Sequence, residues 1–284
     1  MKNSQHLLDR QYKTIPDRQI QGVIGIIGGS GFYDLASGLK EQKVETPYGL
    51  PSSGLAVGRV AGRKVVFLPR HGRHHEIPSH KINYRANLWV LKKLGVRRII
   101  TSHAVGSLQK EIRPGDFVIL DQFVDRTRGR ADTFYDGPIA THVSTAFPYC
   151  PQLRDLAIRI IKNLEIRVHE KGTVVVIQGP RFSTAAESVW FSQMGWEVVN
   201  MTEYPEVVLA KELELCYCAI AVATDYDAGL IGERKVDPVS AKEVVKIFQK
   251  NIARVKKVIL TMIENWPSKV ICSCQQALIE AQFS

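Results

Sequence analysis

Cys218-Ala-Ile-Ala-Val-Ala-Thr-Asp-Tyr-Asp227 is an apolar run that ends in two carboxylates two residues apart. Its length and its abrupt polar end predict a buried strand, and alternation then carries Asp225 and Asp227 to one side at the strand's end. Ligands of open α/β sheets bind at that end. A carboxylate pair in a partly dry cleft can hold a proton, deliver it to a leaving group, or accept from an amino group. Two solvated carboxylates capping a turn would look the same, so the neighbouring segments decide.

Working outward, Gly22-Val-Ile-Gly-Ile-Ile-Gly28 reads as a first buried strand running into the loop Gly28-Gly-Ser-Gly31. Strands are expected at 54–60, 64–69, 98–101 and 117–120, with a helix over 80–94 between the second and third of them. The second half alternates more regularly: helix 152–164, strand 173–177, helix 183–194, strand 197–199, helix 205–214, then the opening strand. Such alternation predicts an α/β fold with a largely parallel sheet covered on both faces. A last long helix is expected to begin at Asp237-Pro238, with Val244, Phe248, Ile252, Val255, Ile259 and Met262 forming a core-packing stripe.

No Pro/Gly/Ser-rich linker, charge run or repeat divides the 284 residues, which argues for one large domain. Residues 1–21 are polar and basic without an apolar centre, so they read as a loose extension and not as a signal peptide or anchor. No apolar run approaches the roughly 20 residues of a membrane span, and a cytoplasmic location follows by default. The net charge of +10 is scattered along the chain, and no finger ligands or aromatic RNA-binding motif accompany it. It therefore reads mostly as solvated surface and not as a nucleic-acid interface.

Five cysteines stand at 150, 216, 218, 272 and 274, and reduced thiols are the default for such a protein. Cys272-Ser-Cys274 nevertheless has the form of a stapling or redox pair. Metal binding is disfavoured there, because the pair lacks the usual spacing and a second pair of ligands.

Several strand ends carry chemistry. The glycine loop could cradle phosphate with the Ser30 hydroxyl, although no dinucleotide fingerprint fits these glycines and a P-loop Lys is missing. Pro69-Arg-His-Gly-Arg-His-His-Glu76 offers two Arg and three His within six positions, suited to gripping phosphate oxygens. His71, His74, His75 and Glu76 are also possible metal ligands, but on an extended segment they point in opposing directions and the arginines repel a cation. Gly179-Pro-Arg-Phe-Ser183 opens a helix with Phe182 able either to stack on a flat ring or to fill the core. Asn200-Met-Thr-Glu-Tyr-Pro-Glu206 adds the Thr202 hydroxyl and a carboxylate at Glu203.

In this order, Gly25-Ile-Ile-Gly-Gly-Ser-Gly31, Arg70-His-Gly-Arg-His-His75, Gly179-Pro-Arg-Phe-Ser183, Asn200-Met-Thr-Glu-Tyr-Pro-Glu206 and Ala223-Thr-Asp-Tyr-Asp227 resemble the 5′-methylthioadenosine phosphorylases. That family is a branch of the trimeric purine nucleoside phosphorylases. The likeness runs from about Val23 to Ile263 and implies a single nucleoside phosphorylase domain over 22–284, with a mixed, largely parallel sheet flanked by helices. It implies phosphorolysis of a purine nucleoside to free base and sugar 1-phosphate, with no metal or organic cofactor. Ser30, Arg70, His71, Ala104 through its backbone and Thr202 match the family's phosphate contacts. Met201 matches the residue against the ribose, Phe182 and Ser183 the base pocket, and Asp225 and Asp227 the carboxylates facing purine N7 and the 6-amino group. His142, Ala241 and Val244 match positions near the 5′ substituent, with His142 reaching in from a neighbouring subunit, so a homotrimer or a dimer of trimers is expected.

The residues suit that chemistry. As the glycosidic bond breaks the ribose gains positive charge, offset by phosphate, and the purine gains negative charge, relieved by a proton at N7. Asp225 is the candidate acid; holding a proton at neutral pH asks for a rise of about three pKa units, or roughly 4 kcal/mol. The alternative is a proton from water that Asp225 only holds. Ionised carboxylates accept and do not donate, which favours the amino group of adenine over a 6-oxopurine, the alternative substrate class; a non-catalytic purine or nucleic-acid binder is the rival from outside enzymology. Relatives often have Thr or Asn where His103 stands, so either His103 or Ser102 serves the phosphate. The stretch Ala228 to Asp237 is longer than the family's usual loop.

Overall fold

A computed structural model describes residues 22–29, 40–42, 44–228, 239–269 and 271–282. In chain order the strands are β1 (Val23–Gly28), β2 (Lys40–Gln42), β3 (Leu55–Val60), β4 (Arg63–Pro69), β5 (Val96–Ser107), β6 (Phe117–Ile119), β7 (Gln122–Arg126), β8 (Val168–His169), β9 (Thr173–Ile177), β10 (Val198–Asn200) and β11 (Cys216–Asp225). The helices are α1 (Tyr84–Lys93), α2 (Pro151–Asn163), α3 (Ala185–Gln193), α4 (Glu203–Glu212) and α5 (Ala241–Glu264).

The strands form one mixed sheet in which β1 lies parallel between β4 and β5. The long β5 organises it. β11 runs parallel along β5 from Arg98 to Gly106, while β10 pairs antiparallel with its last residues, Gly106 and Ser107. β9 and β7 extend the sheet in parallel beyond β10. Antiparallel pairs occur at β2–β3, β3–β4 and β6–β11.

Alternation along β11 assigns the two layers of core. Tyr217, Ala219, Ala221 and Ala223 pack with Leu88 and Leu91 of α1 and with Val207 and Leu209 of α4. Cys216, Cys218, Ile220 and Val222 face Leu153, Leu156 and Ile160 of α2 and Val255, Ile259 and Met262 of α5. Both sides of β11 are thus dry, as its unbroken apolar run requires.

Several sequence expectations need correction. The helix expected over 80–94 is a 3₁₀ turn, Ser79–Lys81, followed by α1, whose N-terminus is held by Asn83 accepting from the Ala86 N–H. β5 is three times the length expected, because Ser102 and His103 are buried polar residues that interrupt the apolar signal without ending the strand. β2, β7 and β8 have no counterpart among the sequence expectations: β2 is an exposed Lys-Glu-Gln, β8 is two residues long, and the half-exposed Gln-Phe-Val-Asp-Arg of β7 has too few apolar residues to show a pattern. α3 starts at Ala185 behind a Thr184–Glu187 capping box, and α5 starts at Ala241 behind Ser240, which accepts from the Glu243 N–H. Asp237-Pro238, residues 1–21, and the stretch 229–237 lie outside the described residues.

All five cysteines are free thiols. Four of them, Cys150, Cys216, Cys272 and Cys274, bring their sulfurs within 4.8 Å of one another, with Cys216 and Cys272 at 3.4 Å. The second pair of sulfurs that Cys272-Ser-Cys274 lacks in sequence is therefore supplied by the N-cap of α2 and the first residue of β11.

Candidate active site

A cavity of about 790 Å³ opens at the ends of β4, β5, β9, β10 and β11. Arg70, His71, Ser102, His103, Ala104, Met201, Thr202, Asp225, Asp227, Phe182, Ala241 and Val244 all line it. Most residues singled out in sequence therefore meet in one place. Ser30 and Gly31 lie outside the described residues. Ser183 is not among the cavity-lining residues; its buried hydroxyl lies beside the Asp227 carboxylate. His142 is exposed and stands apart from the cavity lining, with its backbone N–H donated to the Ala281 carbonyl at 2.7 Å.

At one end the groups suit an anion, though not as the sequence suggests. Arg70 was expected to grip two phosphate oxygens, yet its Nε and Nη2 hold Glu206 at 2.7 and 2.8 Å, and its Nη1 donates to the Ser102 carbonyl at 3.1 Å. Three of its five N–H groups are committed to the protein. Burial opposes the charge on Arg70, and the Glu206 carboxylate more than offsets this, so the guanidinium stays ionised. Glu206 behaves in reverse: burial raises it and Arg70 brings it below its ordinary value. Arg70 thus contributes a fixed charge more than a fork.

His71 is pushed down to about 4 by burial, with Arg70 and His75 adding to the effect, so its ring is neutral at pH 7. Its Nδ1 lies 2.9 Å from the Ile77 carbonyl, which can only accept. Nδ1 therefore carries the hydrogen and Nε2 is left as an acceptor, suited to the hydroxyl of a phosphate and not to its bare oxygens. The His75 ring stacks on it at 4.2 Å. His103, buried between Thr101, Thr202 and Glu203, meets the cavity along with Ser102, whose buried hydroxyl has no partner. Both candidates for the phosphate contact are present.

At the other end lie the carboxylates. β11 ends at Asp225, and Asp227 sits one turn further with φ +50. Strand alternation was expected to place both; it places only Asp225, and the left-handed backbone at 227 brings the second carboxylate round. The Asp227 N–H donates to Asp225 Oδ1 at 2.7 Å and the Thr224 hydroxyl to Asp225 Oδ2 at 2.7 Å. Burial nonetheless pushes Asp225 up to about 6, the Thr224 hydroxyl and Asp227 amide opposing it and the Asp227 charge reinforcing it. Burial raises Asp227 also, in part offset by the nearby hydroxyls of Ser183 and Ser188. Asp227 Oδ2 is buried with no hydrogen bond of good geometry. An orphaned acceptor at a cavity wall is a place for a ligand's donor.

The wall between is apolar. Val244, Val245, Phe248 and Ile252 of α5 line the cavity. The helix stripe read as core packing is therefore divided: Val255, Ile259 and Met262 are buried core, and the first three residues, Val244, Phe248 and Ile252, face the cavity.

Sequence reasoning missed two supports. Gly106 closes the wall between β5 and β11, where an added Cβ would stand 3.0 Å from Asp225 Oδ1 and 3.1 Å from Asp227 Cβ. Its place in Thr101-Ser-His-Ala-Val-Gly106 was visible, but its role was not. Arg130 joins two strand ends by donating to the carbonyls of Gln178 and Met201, both at 2.9 Å, and to that of Tyr204. Nothing distinguishes it in sequence from Arg126 and Arg128. Among the described residues, the group with metal-ligand geometry is the four-cysteine cluster. It lies at the far end of β11 from Asp225, about 30 Å along the strand.

A buried strand-end cavity with an anion grip at one end, paired acceptors at the other and an apolar wall between defines an α/β enzyme for a small ligand that is part anionic, part heteroaromatic. Residues 23–264 match the sequence model of the Phosphorylase superfamily, and the chain belongs to that family. It is 52% identical over 260 residues to S-methyl-5′-thioadenosine phosphorylase of Thermofilum pendens, spanning 91% of this chain and 97% of the relative. Purine nucleoside phosphorylase of Streptomyces coelicolor is 46% identical over 270 residues, spanning 92% and 95%. Among solved structures, methylthioadenosine phosphorylase from Schistosoma mansoni in complex with adenine superposes with a TM-score of 0.86 at 36% identity, covering 92% of this chain and 99% of that one.

Proposed function

We propose that the protein cleaves S-methyl-5′-thioadenosine with phosphate, giving adenine and 5-methylthioribose 1-phosphate, with adenosine as a further substrate. The observation that carries this is the convergence of Arg70, His103 and Thr202, the Asp225–Asp227 pair, and the apolar face of α5 on one cavity. These three groups match the parts of the substrate in chemical kind: phosphate and ribose, adenine, and methylthio group. The relatives named S-methyl-5′-thioadenosine phosphorylase support the same substrate.

In this reaction a phosphate oxygen forms the bond to C1′ as the bond from C1′ to N9 breaks, and its electron pair passes into the purine. Arg70, His71, His103, the Ala104 backbone and Thr202, with Ser30, hold the phosphate beneath the sugar, while Met201 packs on the ribose. Phe182 stacks on the base and Ser183 borders it. With Asp225 at about 6, the unliganded carboxyl is ionised about ten to one at pH 7. It acts by holding a proton shared with N7 as negative charge builds there, and Asp227 accepts from the 6-amino group. Ala241 and Val244, with Phe248, contact the 5′ substituent, and no metal or organic cofactor takes part. His142 of a second copy completes the pocket in a homotrimer, or in a dimer of such trimers, in the cytoplasm.

The test is base release from methylthioadenosine, adenosine and inosine, each with and without phosphate. Phosphate-dependent release, fastest with methylthioadenosine, is expected. Faster inosine cleavage would transfer the assignment to 6-oxopurine nucleosides, and no release would favour a binding protein.

A further inference from the structure

Four thiols that the reaction does not use converge from three segments. Cys150 is the N-cap of α2, Cys216 opens β11, and Cys272 and Cys274 follow α5, with Cys274 starting a 3₁₀ turn, Cys274–Gln276. Their sulfurs all lie within 4.8 Å of one another. Cys150, Cys216 and Cys272 are each within hydrogen-bonding range of the other three. Cys150 and Cys216 are fully buried and Cys274 is 5% exposed, while Cys272 is the one nearer the surface. Cys272-Ser-Cys274 thus gains the second pair of sulfurs whose absence argued against a metal. Its short spacing is met by the turn at Ser273, which leaves both sulfurs in the cluster.

Thiols are weak donors and weak acceptors, so their mutual contacts add little hydrogen bonding to the core. As thiolates the same four sulfurs are soft ligands suited to a soft or borderline cation. Zinc on four cysteines has Zn–S bonds of about 2.3 Å, which sets tetrahedral sulfurs about 3.8 Å apart. The observed spacing brackets that value, with Cys216 and Cys272 at 3.4 Å and every pair within 4.8 Å. Two disulfides would instead need the sulfurs sorted into two bonded pairs, and an oxidant to take two electrons from each. Zinc binding needs no oxidant: four S–H groups release their protons to solvent, four S–Zn bonds form, and no oxidation state changes. Four thiolates on Zn²⁺ leave a net charge of about −2, and two features offset it. Cys150 stands at the N-terminus of α2, where the helix dipole favours a thiolate. Arg98, the register partner of Cys216 on β5, lies on the same face of the sheet, 7% exposed, with its guanidinium over the Trp266 ring at 5.6 Å.

We propose that Cys150, Cys216, Cys272 and Cys274 form a structural zinc site that clamps the chain following α5 to the starts of α2 and β11. Gln152 makes a weaker version of the same connection, donating to the Lys269 carbonyl at 2.8 Å and accepting from the Ile271 N–H at 3.3 Å. Four protein ligands leave zinc no open position for substrate or water. The site lies about 30 Å along β11 from Asp225, so the metal serves stability and not turnover.

The test is the metal content of the full, untagged chain made under reducing conditions. About one zinc per chain is expected, lost to a chelator and regained from zinc chloride. Cobalt(II) chloride added to the chelated protein should give the visible absorption bands of a tetrahedral tetrathiolate. Cys272→Ser is expected to weaken zinc binding about a hundredfold or more, whereas Cys218→Ala, outside the cluster, keeps about one zinc per chain. Chelation should lower the melting temperature by about 10 °C relative to protein with zinc at about a thousandfold excess over its Kd. Chelated protein that takes up neither zinc nor cobalt, or Cys272→Ser with unchanged zinc affinity, would overturn the proposal. So would four thiols missing from the count after denaturation with no metal present, which is the result for two disulfides. Zinc whose removal leaves melting unchanged would overturn the clamp. Where Cys272→Ser fails to fold, the zinc and thiol counts on the unaltered protein still decide.

Discussion

The backbone N–H of Asp227 donates to Oδ1 of Asp225 at 2.7 Å, so the two carboxylates at the end of β11 are not equivalent. Asp225 spends one oxygen on that amide and the other on the Thr224 hydroxyl, while Asp227 Oδ2 keeps no partner. The first is a placed group with a raised proton affinity; the second is an acceptor left open for a ligand.

Replacing Asp225 by Asn should lower turnover of methylthioadenosine by about 10²–10⁴-fold, the usual range for losing a proton-holding group. Preference should shift toward inosine, because an amide can donate to a 6-oxo group as well as accept. Rates measured on both nucleosides check this, and an unchanged adenosine-to-inosine ratio would sink the adenine assignment.

The same substitution tests the electrostatics without substrate. Burial raises Asp225 from its ordinary 3.8 to about 6, so the folded state binds this proton more tightly than the unfolded chain. That contribution is complete below about pH 4 and lost as pH rises through about 6. Above pH 6 the ionised group therefore costs about 3 kcal/mol relative to its neutral form. Asp225→Asn should melt higher than the unaltered protein at pH 8, by a margin that narrows toward pH 5; equal margins at both pH values would contradict the buried setting.

Gly106→Ala places a methyl group 3.0 Å from Asp225 Oδ1 and 3.1 Å from both Asp227 Cβ and Val199 Cγ1. The expected result is a loss of about tenfold or more in kcat/KM, from displacement of the two acceptors by a few tenths of an ångström. Melting should fall by only a few degrees, on the scale of overpacking by about 1 kcal/mol. Full activity with a lowered melting temperature would mean that Gly106 serves packing alone.

Arg130→Met removes the donors shared by the carbonyls of Gln178, Met201 and Tyr204. Since these carbonyls precede Phe182 on one side and flank Thr202 on the other, KM for nucleoside and for phosphate should rise together. A change confined to one of them would show that the arginine supports a single strand end.

The tail cysteines are far from the carboxylates and should matter to stability alone. Cys272→Ser with Cys274→Ser breaks a buried cluster with Cys150 and Cys216 and is expected to lower the melting temperature while leaving kcat intact. Lost turnover at unchanged melting temperature would refute this.

By itself the sequence determined the order of the longer, apolar strands and of the α-helices, the buried character of β11, and the strand-end motifs that gather at the cavity. Each of these is local: periodicity of two or of 3.6, a cap, or a short run of chemically matched residues is written within a few positions. The tertiary structure decided what those groups are free to do. Arg70 is engaged by Glu206, 136 residues away, so its charge serves the site while much of its fork does not. Val244, Phe248 and Ile252 share the stripe of Val255 and Ile259, and only the position of α5 at the sheet's end turns the first three toward the cavity. Asp227 reaches Asp225 through a left-handed turn that alternation does not encode, and four cysteines from three distant segments become one cluster. Hydrogen-bond allegiance and the filling of space depend on which elements pack together, and no local pattern carries that information.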